Sequence, residues 1–251
     1  MILIKKPSEI SLMRESGRLL ARTMRIVSES IVSGKSTPLE LDALAERIIT
    51  EGGGIPSFKG YRGFPNTACI SVNDTVVHGI PDDRPLAEGD IISLDFGVIL
   101  EGWHSDSAWT FPVGEIAPNA QSLLSVTKEC LSQGILKARP GGKVGDISNA
   151  VQKYAENNGY GIVKDLVGHG IGKSLHEPPN VPNFGKAGHG PVLKEGMTLC
   201  IEPMINEGTG KVKFLKDGWT VKTGDGKLSA HFEHTVAVTS SGPLILTLEE
   251  D

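Results

Sequence analysis

Two stretches of this 251-residue chain share a text that ends in an acid. Leu86-Ala87-Glu88-Gly89 leads into Ile91-Ile92-Ser93-Leu94-Asp95, and Leu193-Lys194-Glu195-Gly196 leads into Met197-Thr198-Leu199-Cys200-Ile201-Glu202, at a constant offset of 107 residues. Both read as apolar strands, yet each carries a carboxylate where core residues would stand. A buried carboxylate with no partner is expensive, so each of these needs one. A second pair of acids follows the same order. His104-Ser105-Asp106-Ser107-Ala108 is echoed by His231-Phe232-Glu233-His234-Thr235 at an offset of 127. Between the halves, Val77-His78-Gly79-Ile80 is echoed by Gly168-His169-Gly170-Ile171.

The spacing of the first two acids is testable on paper. If Glu101-Gly102 is a two-residue hairpin loop, with Gly supplying a positive φ, Leu100 pairs with Trp103 and Asp95 faces Ala108. Asp106 then lies two residues from the partner of Asp95 on the same face, roughly 7–8 Å away at Cα. Either the two carboxylates grip one ion or adjacent ions, or Asp106 is solvated and Asp95 caps a backbone group. For that pair alone both readings stand. The duplication adds Glu202 and Glu233 to the same place, with His169 from a loop between strands. Four buried carboxylates repel until protons or cations resolve the charge. His169 alone reads as a loop histidine, but the flanking Gly168 and Gly170 allow close backbone approach and favour a ligand. An oxygen-rich set with one imidazole suits a hard to borderline divalent ion, and five donors with bridging carboxylates suit two.

Elements must deliver these side chains. Ser8 can cap a helix with Leu12, Met13, Leu19, Leu20 and Met24 at helical spacing. Thr37-Pro38-Leu39-Glu40 is a capping-box signature opening a second helix, which Gly52-Gly53-Gly54 ends. An aromatic, glycine-rich loop over 58–65 precedes a strand at Cys69-Ile70-Ser71-Val72. In the second half, 119–138 is helical by pattern. Asp146, Ile147, Val151, Tyr154 and Ala155 form another helix closed by Gly159. The fold class is therefore α+β: two helix–helix–strand halves, roughly 8–112 and 119–240, related by a pseudo-two-fold around a central antiparallel sheet, within a single catalytic domain over 1–251.

Composition bounds the rest. At 39% hydrophobic, the chain can bury a sizeable core, and its net charge of −5 favours neither nucleic acid nor an anionic membrane. No apolar run reaches membrane-spanning length, and the first residues are not those of a signal peptide. Cys69, Cys130 and Cys200 are widely spaced, which fits free thiols in a reducing cytoplasm.

Phe64-Pro65, Val72-Asn73-Asp74, Val77-His78-Gly79-Ile80-Pro81, Leu94-Asp95-Phe96-Gly97, Asp106, Gly168-His169-Gly170-Ile171-Gly172, His176-Glu177, Glu202-Pro203 and Phe232-Glu233-His234-Thr235 together resemble a type I methionine aminopeptidase of the pita-bread metallopeptidase family. The resemblance spans nearly the whole chain. It implies a metallo-exopeptidase that removes the initiator methionine from nascent proteins when the second residue is small. It implies Asp95, Asp106, His169, Glu202 and Glu233 as ligands of two divalent ions (Mn, Fe, Co or Zn), with a metal-bound hydroxide attacking the first peptide bond. Glu202 would also shuttle the proton, His176 would hydrogen-bond the carbonyl oxygen, and His78 would contact the peptide nitrogen or the following residue. Phe58, Tyr61, Phe64, Cys69, Leu175 and Trp219 would wall the methionine pocket. His104, His189, His231 and His234 are taken as structural or as neighbours of the ligands.

Two departures stand beside the pocket: Leu175 where the family usually has Phe, and His176-Glu177-Pro178-Pro179 where it usually has His-Glu-Glu-Pro. The short stretch from His169 to Glu202 leaves no room for the helical insertion of the type II enzymes. The implied setting is a cytoplasmic monomer acting on nascent polypeptides, near the ribosome, with no nucleic acid or membrane partner. An Xaa-Pro peptidase of the same fold would use the same ligands but with a large extra domain. A non-catalytic binding protein of this fold would typically have lost ligands, and all five are present.

Overall fold

The computed structural model describes residues 2–249. Among the described residues, four α-helices and a set of mostly short strands build an α+β molecule, and every strand pairing is antiparallel. Helix α1 spans Pro7–Glu29. Its cap is not Ser8 but Lys6: Pro7 takes the first helical position and the Lys6 N–H donates to the Glu9 carboxylate at 2.8 Å. Proline suits that position because its missing N–H is one the helix leaves unbonded there anyway. Met13, Leu20 and Val27 face the core, whereas Leu12, expected on the apolar face, is 39% exposed. Helix α2 spans Pro38–Glu51 and opens on the expected box, with the Glu40 N–H donating to Thr37 Oγ1 at 3.2 Å and the Thr37 N–H to Glu40 Oε2 at 3.1 Å. Helix α3 spans Pro118–Ile135, ending short of Ala138, and α4 spans Val144–Asn157.

The long strand Ile91–Leu100 is central to a four-stranded sheet with Ile55–Pro56, Cys69–Val72 and Trp103–Pro112. Its hairpin has the expected register: Leu100 opposes Trp103 and Asp95 opposes Ala108. Glu101 as well as Gly102 is left-handed, with φ of 51° and 75°. A two-residue loop with both residues at positive φ matches the twist of the strands it joins. The second helix pair precedes a five-stranded sheet, ordered Gly242–Ile245, His234–Thr239, Thr198–Ile201, Val167–Gly170, Glu177–Pro182. Two three-stranded sheets complete the described residues.

Polar bonds stitch the two larger sheets together beside the acids. The Glu233 N–H donates to the Ala108 carbonyl at 2.7 Å. The Asp106 N–H donates to Thr235 Oγ1 at 3.0 Å, and that hydroxyl donates back to the Asp106 carbonyl at 2.8 Å. These threonine bonds satisfy both backbone groups of Asp106 and free its carboxylate for other work. Apolar packing lies on both sides, with Phe96, Leu94 and Ile92 under α1 and α2, and Leu199, Ile201 and Val236 under α3 and α4. No helix among the described residues is long and apolar enough to cross a membrane.

Candidate metal centre and substrate cavity

Asp95 and Asp106 sit within the paired strands Ile91–Leu100 and Trp103–Pro112, in the expected register, but the other three donors are presented differently than the sequence suggested. His169 lies on the strand Val167–Gly170, not in a loop, opposite Cys200. Glu202 follows directly after the strand Thr198–Ile201, and Glu233 lies in the break between Ser229–His231 and His234–Thr239. At a strand break the alternation of faces is released, so a side chain can turn into a cavity that regular pleating would deny it.

The five donors converge on one cavity of about 300 Å³. His169 Nε2 lies 3.5 Å from Glu202 Oε1 and 3.8 Å from Asp106 Oδ2. The donor atoms of Asp106, His169 and Glu233 lie within 4.8 Å of one another. His169 Nδ1 is 2.9 Å from the Gly170 carbonyl, which can only accept, so Nδ1 carries the hydrogen and Nε2 is a bare lone pair. Burial, and to a lesser degree His176, lowers the His169 pKa to about 3, so the ring is neutral. A lone pair facing two carboxylates is repulsive unless a cation lies between them. Asp95 Oδ1, Asp106 Oδ1 and Glu233 Oε1 are buried with no hydrogen-bond partner. Burial first, and then the neighbouring acids, push Asp95, Glu202 and Glu233 well above the carboxylate range, while burial holds Asp106 at about 7. Orphaned carboxylate oxygens around an unprotonated imidazole nitrogen are what one or more divalent cations would satisfy, so the residues fit a metal.

Cys200 also lies within 4.8 Å of Asp106, His169 and Glu233. It does not line the cavity, its Sγ lies 3.7 Å from Thr235 Oγ1, and burial followed by the nearby carboxylates keeps it a neutral thiol. The four carboxylates and His169 line the cavity and Cys200 does not, so the carboxylates are the better-placed donors.

The remaining sequence candidates line the same cavity. His78 stands at φ 57° and its ring lies 6.4 Å from Trp219. A non-glycine residue in the left-handed region is strained, and such strain clusters where a side chain must be aimed. Burial and His176 lower its pKa to about 4. His176 stacks on Tyr61 at 5.3 Å and tilts against His169 at 4.1 Å, and is held neutral by partial burial and by the charge of Arg62. Phe64 meets Trp219 edge-on at 5.1 Å. Leu175 and Cys69 are buried, and Phe58 and Tyr61 half-buried, on the apolar side.

His104 bonds Ser57 through Nδ1 at 3.0 Å, His234 bonds Thr247 at 2.7 Å, and His189 is exposed, so these three are occupied elsewhere or outside the site. His231, expected as structural or as a neighbour of the ligands, lines the cavity 4.0 Å from Glu202 Oε2, with neither ring nitrogen bonded. Met204 and Val77 also line it. The sequence offered a signal for both His231 and Met204, since each lies two residues from a ligand candidate.

Residues 11–240 match metallopeptidase family M24. The chain belongs to that family. It is 52% identical to a methionine aminopeptidase of Clostridium perfringens over 99% of both chains. It is also 52% identical to methionine aminopeptidase 1 of Bacillus subtilis, over 98% of this chain and 99% of the other. The crystal structure of methionine aminopeptidase from Rickettsia prowazekii superposes with a TM-score of 0.97 at 43% identity, over 99% of this chain and 100% of that one. A prolidase from Pyrococcus furiosus shares the M24 pita-bread fold, with a TM-score of 0.79 at 23% identity, but this chain covers only 66% of it.

Proposed function

We infer that this chain removes methionine from the N-terminus of polypeptides by metal-dependent hydrolysis. The carrying observation is the cavity in which Asp95, Asp106, His169, Glu202 and Glu233 converge beside an apolar wall, in a chain about half identical to methionine aminopeptidases along its whole length. Those five side chains would hold two divalent ions. When bound, such ions supply Lewis-acid polarisation of the carbonyl and ready activation of water at neutral pH.

The chain's own groups do the rest. The apolar wall of Phe58, Phe64, Cys69, Leu175 and Trp219 takes the methionine side chain. Glu202, at the cavity end of its strand, takes a proton from the attacking water and passes it to the leaving amine. His176 donates to the carbonyl oxygen as charge develops there, and His78 faces the peptide nitrogen or the residue beyond it. Discrimination for a small second residue, action on nascent chains near the ribosome, a cytoplasmic setting and a monomeric state belong to the same reading.

The test is hydrolysis of a Met-Ala-Ser peptide against an Xaa-Pro peptide and a Met-Leu-Ser peptide, with and without chelator. The expected result is methionine release from Met-Ala-Ser alone, abolished by chelation and restored by Mn²⁺, Fe²⁺ or Co²⁺. Full activity in metal-stripped protein, or a preference for Xaa-Pro, would overturn it. The prolidase alternative draws only on a shared fold, in a longer chain.

A further inference from the structure

Tyr61 belongs to the apolar wall, but its hydroxyl is engaged elsewhere. Oη lies 3.0 Å from His176 Nδ1, and the two rings are stacked with planes 20° apart. The backbone beneath it is tightly held. The Tyr61 N–H donates to the Phe58 carbonyl at 2.9 Å, the Tyr61 carbonyl accepts from Phe64 at 2.9 Å, and the Gly60 N–H donates to the Phe64 carbonyl at 2.8 Å. The Arg62 guanidinium lies 5.4 Å from the Tyr61 ring centroid, on a residue whose φ of 48° is left-handed. The hydroxyl is therefore a fixed group, aimed at one nitrogen of one histidine.

A neutral imidazole carries a single N–H, and the bond made by one nitrogen decides what the other can do. A phenol hydroxyl donates readily, whereas its oxygen, conjugated with the ring, accepts poorly; a bare imidazole nitrogen accepts well. The favoured arrangement has Tyr61 donating to Nδ1, which leaves the hydrogen of His176 on Nε2. Reversing the bond would leave Nε2 a bare lone pair, repelled by any carbonyl oxygen that approached it. His169 shows the opposite arrangement, since its Nδ1 donates to the Gly170 carbonyl and leaves Nε2 bare. With Tyr61 as the donor, two imidazoles whose ring centroids lie 4.1 Å apart would stand in opposite tautomers, one suited to a cation and the other to an oxyanion.

We propose that Tyr61 is a positioning residue that holds His176 in its Nε2–H tautomer, so that His176 donates a hydrogen bond to the oxygen of the scissile carbonyl. The proposal rests on the aminopeptidase reading for the identity of that oxygen, and on the geometry of this chain for the tautomer.

Tyr61→Phe tests it, because the ring and its stacking stay while the hydroxyl goes. Complete loss of an oxyanion-hole donor typically costs 10²–10³-fold in kcat, whereas a mixture that leaves Nε2–H on about half of the molecules should cost about twofold in kcat, with KM little changed. A purely packing role for Tyr61 would leave kcat unchanged. In a His176→Ala background, Tyr61→Phe should have no further effect. The ¹⁵N shifts of the histidine rings give a readout that needs no turnover. In metal-free and Zn²⁺-loaded protein, His176 should show a protonated Nε2 and a bare Nδ1, and Tyr61→Phe should give a mixture. Wild-type kcat in Tyr61→Phe with unchanged shifts, or a protonated Nδ1 in the wild type, would overturn the proposal. Absence of methionine release by the wild type would overturn the aminopeptidase reading instead, and the shifts would still decide the tautomer.

Discussion

Leu175 lines the cavity from its apolar side, away from the carboxylates, so in the proposed function it bears on selectivity and not on the reaction itself. It is 2% exposed, packs with Phe58, Tyr61 and Trp103, and presents its remaining surface to the cavity. A methionine side chain placed there meets a branched aliphatic group instead of an aromatic plate. Sulfur–aromatic contact is worth about 0.3–1.5 kcal/mol, so Leu175→Phe should raise the kcat/KM ratio for Met over Leu or norleucine at the first position by about two- to tenfold. Metal content should not change. A ratio that stays the same, or moves toward Leu, would place residue 175 away from the substrate side chain.

The strand that follows His176 is anchored by the N-terminal segment. The Lys5 ammonium bonds Glu177 Oε2 at 2.5 Å, and both side chains are about 95% buried. Glu177 Oε1 accepts from the Ser174 N–H at 3.2 Å, and the Lys5 N–H donates to the Gly196 carbonyl at 2.7 Å. Gly172 leaves room for this pair, since a Cβ there would fall 2.5 Å from Lys5 Cε and 2.7 Å from Glu177 Oε1 and would displace one of them. Lys5→Met would leave Glu177 buried and unpaired, a loss of about 3–5 kcal/mol, whereas replacing both partners by apolar residues is often close to neutral. Urea unfolding of the metal-loaded protein should show the large loss in Lys5→Met and recovery of most of it in Lys5→Met/Glu177→Leu. A single variant costing less than about 1 kcal/mol would mean that water reaches the pair and screens it.

On the scale of the whole molecule, the carboxylate cluster links metal, protons and stability. His78, His169, His231 and His234 have pKa values lowered by burial to about 3–4, and the unfolded chain, whose histidines titrate near 6.5, has released most of their protons by about pH 7.5, so above that pH they are neutral in both states and contribute little slope. The cluster carboxylates behave oppositely. Raised in the folded, metal-free protein, they keep protons that the unfolded chain has released by about pH 5. The folded state therefore binds more protons, and stability falls as pH rises through the folded values, that of Asp106 being about 7. The Tm of metal-stripped protein should drop between about pH 7.5 and 8.5, where the unfolded chain's histidines no longer titrate and the raised carboxylates still do. Added Mn²⁺ should raise it, and by more at the higher pH, because the ion displaces those protons. Scanning calorimetry with and without metal at the two pH values checks this. A flat metal-free Tm would mean that the carboxylates are already ionised without an ion.

Features encoded within a few residues are legible in the amino-acid sequence itself. The Thr37–Glu40 box, the Glu101-Gly102 turn with the register it imposes on Asp95, and the motifs around His78, His169 and Glu202 each depend on local backbone preference and spacing. That is also why the α+β fold class and the ligand candidates can be read from the chain alone. Tertiary structure decided what depends on packing across distant segments. It placed His169 on a strand, turned Glu202 and Glu233 inward at strand breaks, and moved the first helix cap from Ser8 to Lys6. It brought His231 into the cavity and left Cys200 behind it. Above all it assigned protons: His169 gives its hydrogen to the Gly170 carbonyl, and His176 faces the Tyr61 hydroxyl, 115 residues away in sequence. A sequence names the titratable groups, but desolvation and the partner opposite each nitrogen determine where the proton resides, and both arise only when remote segments close around the site.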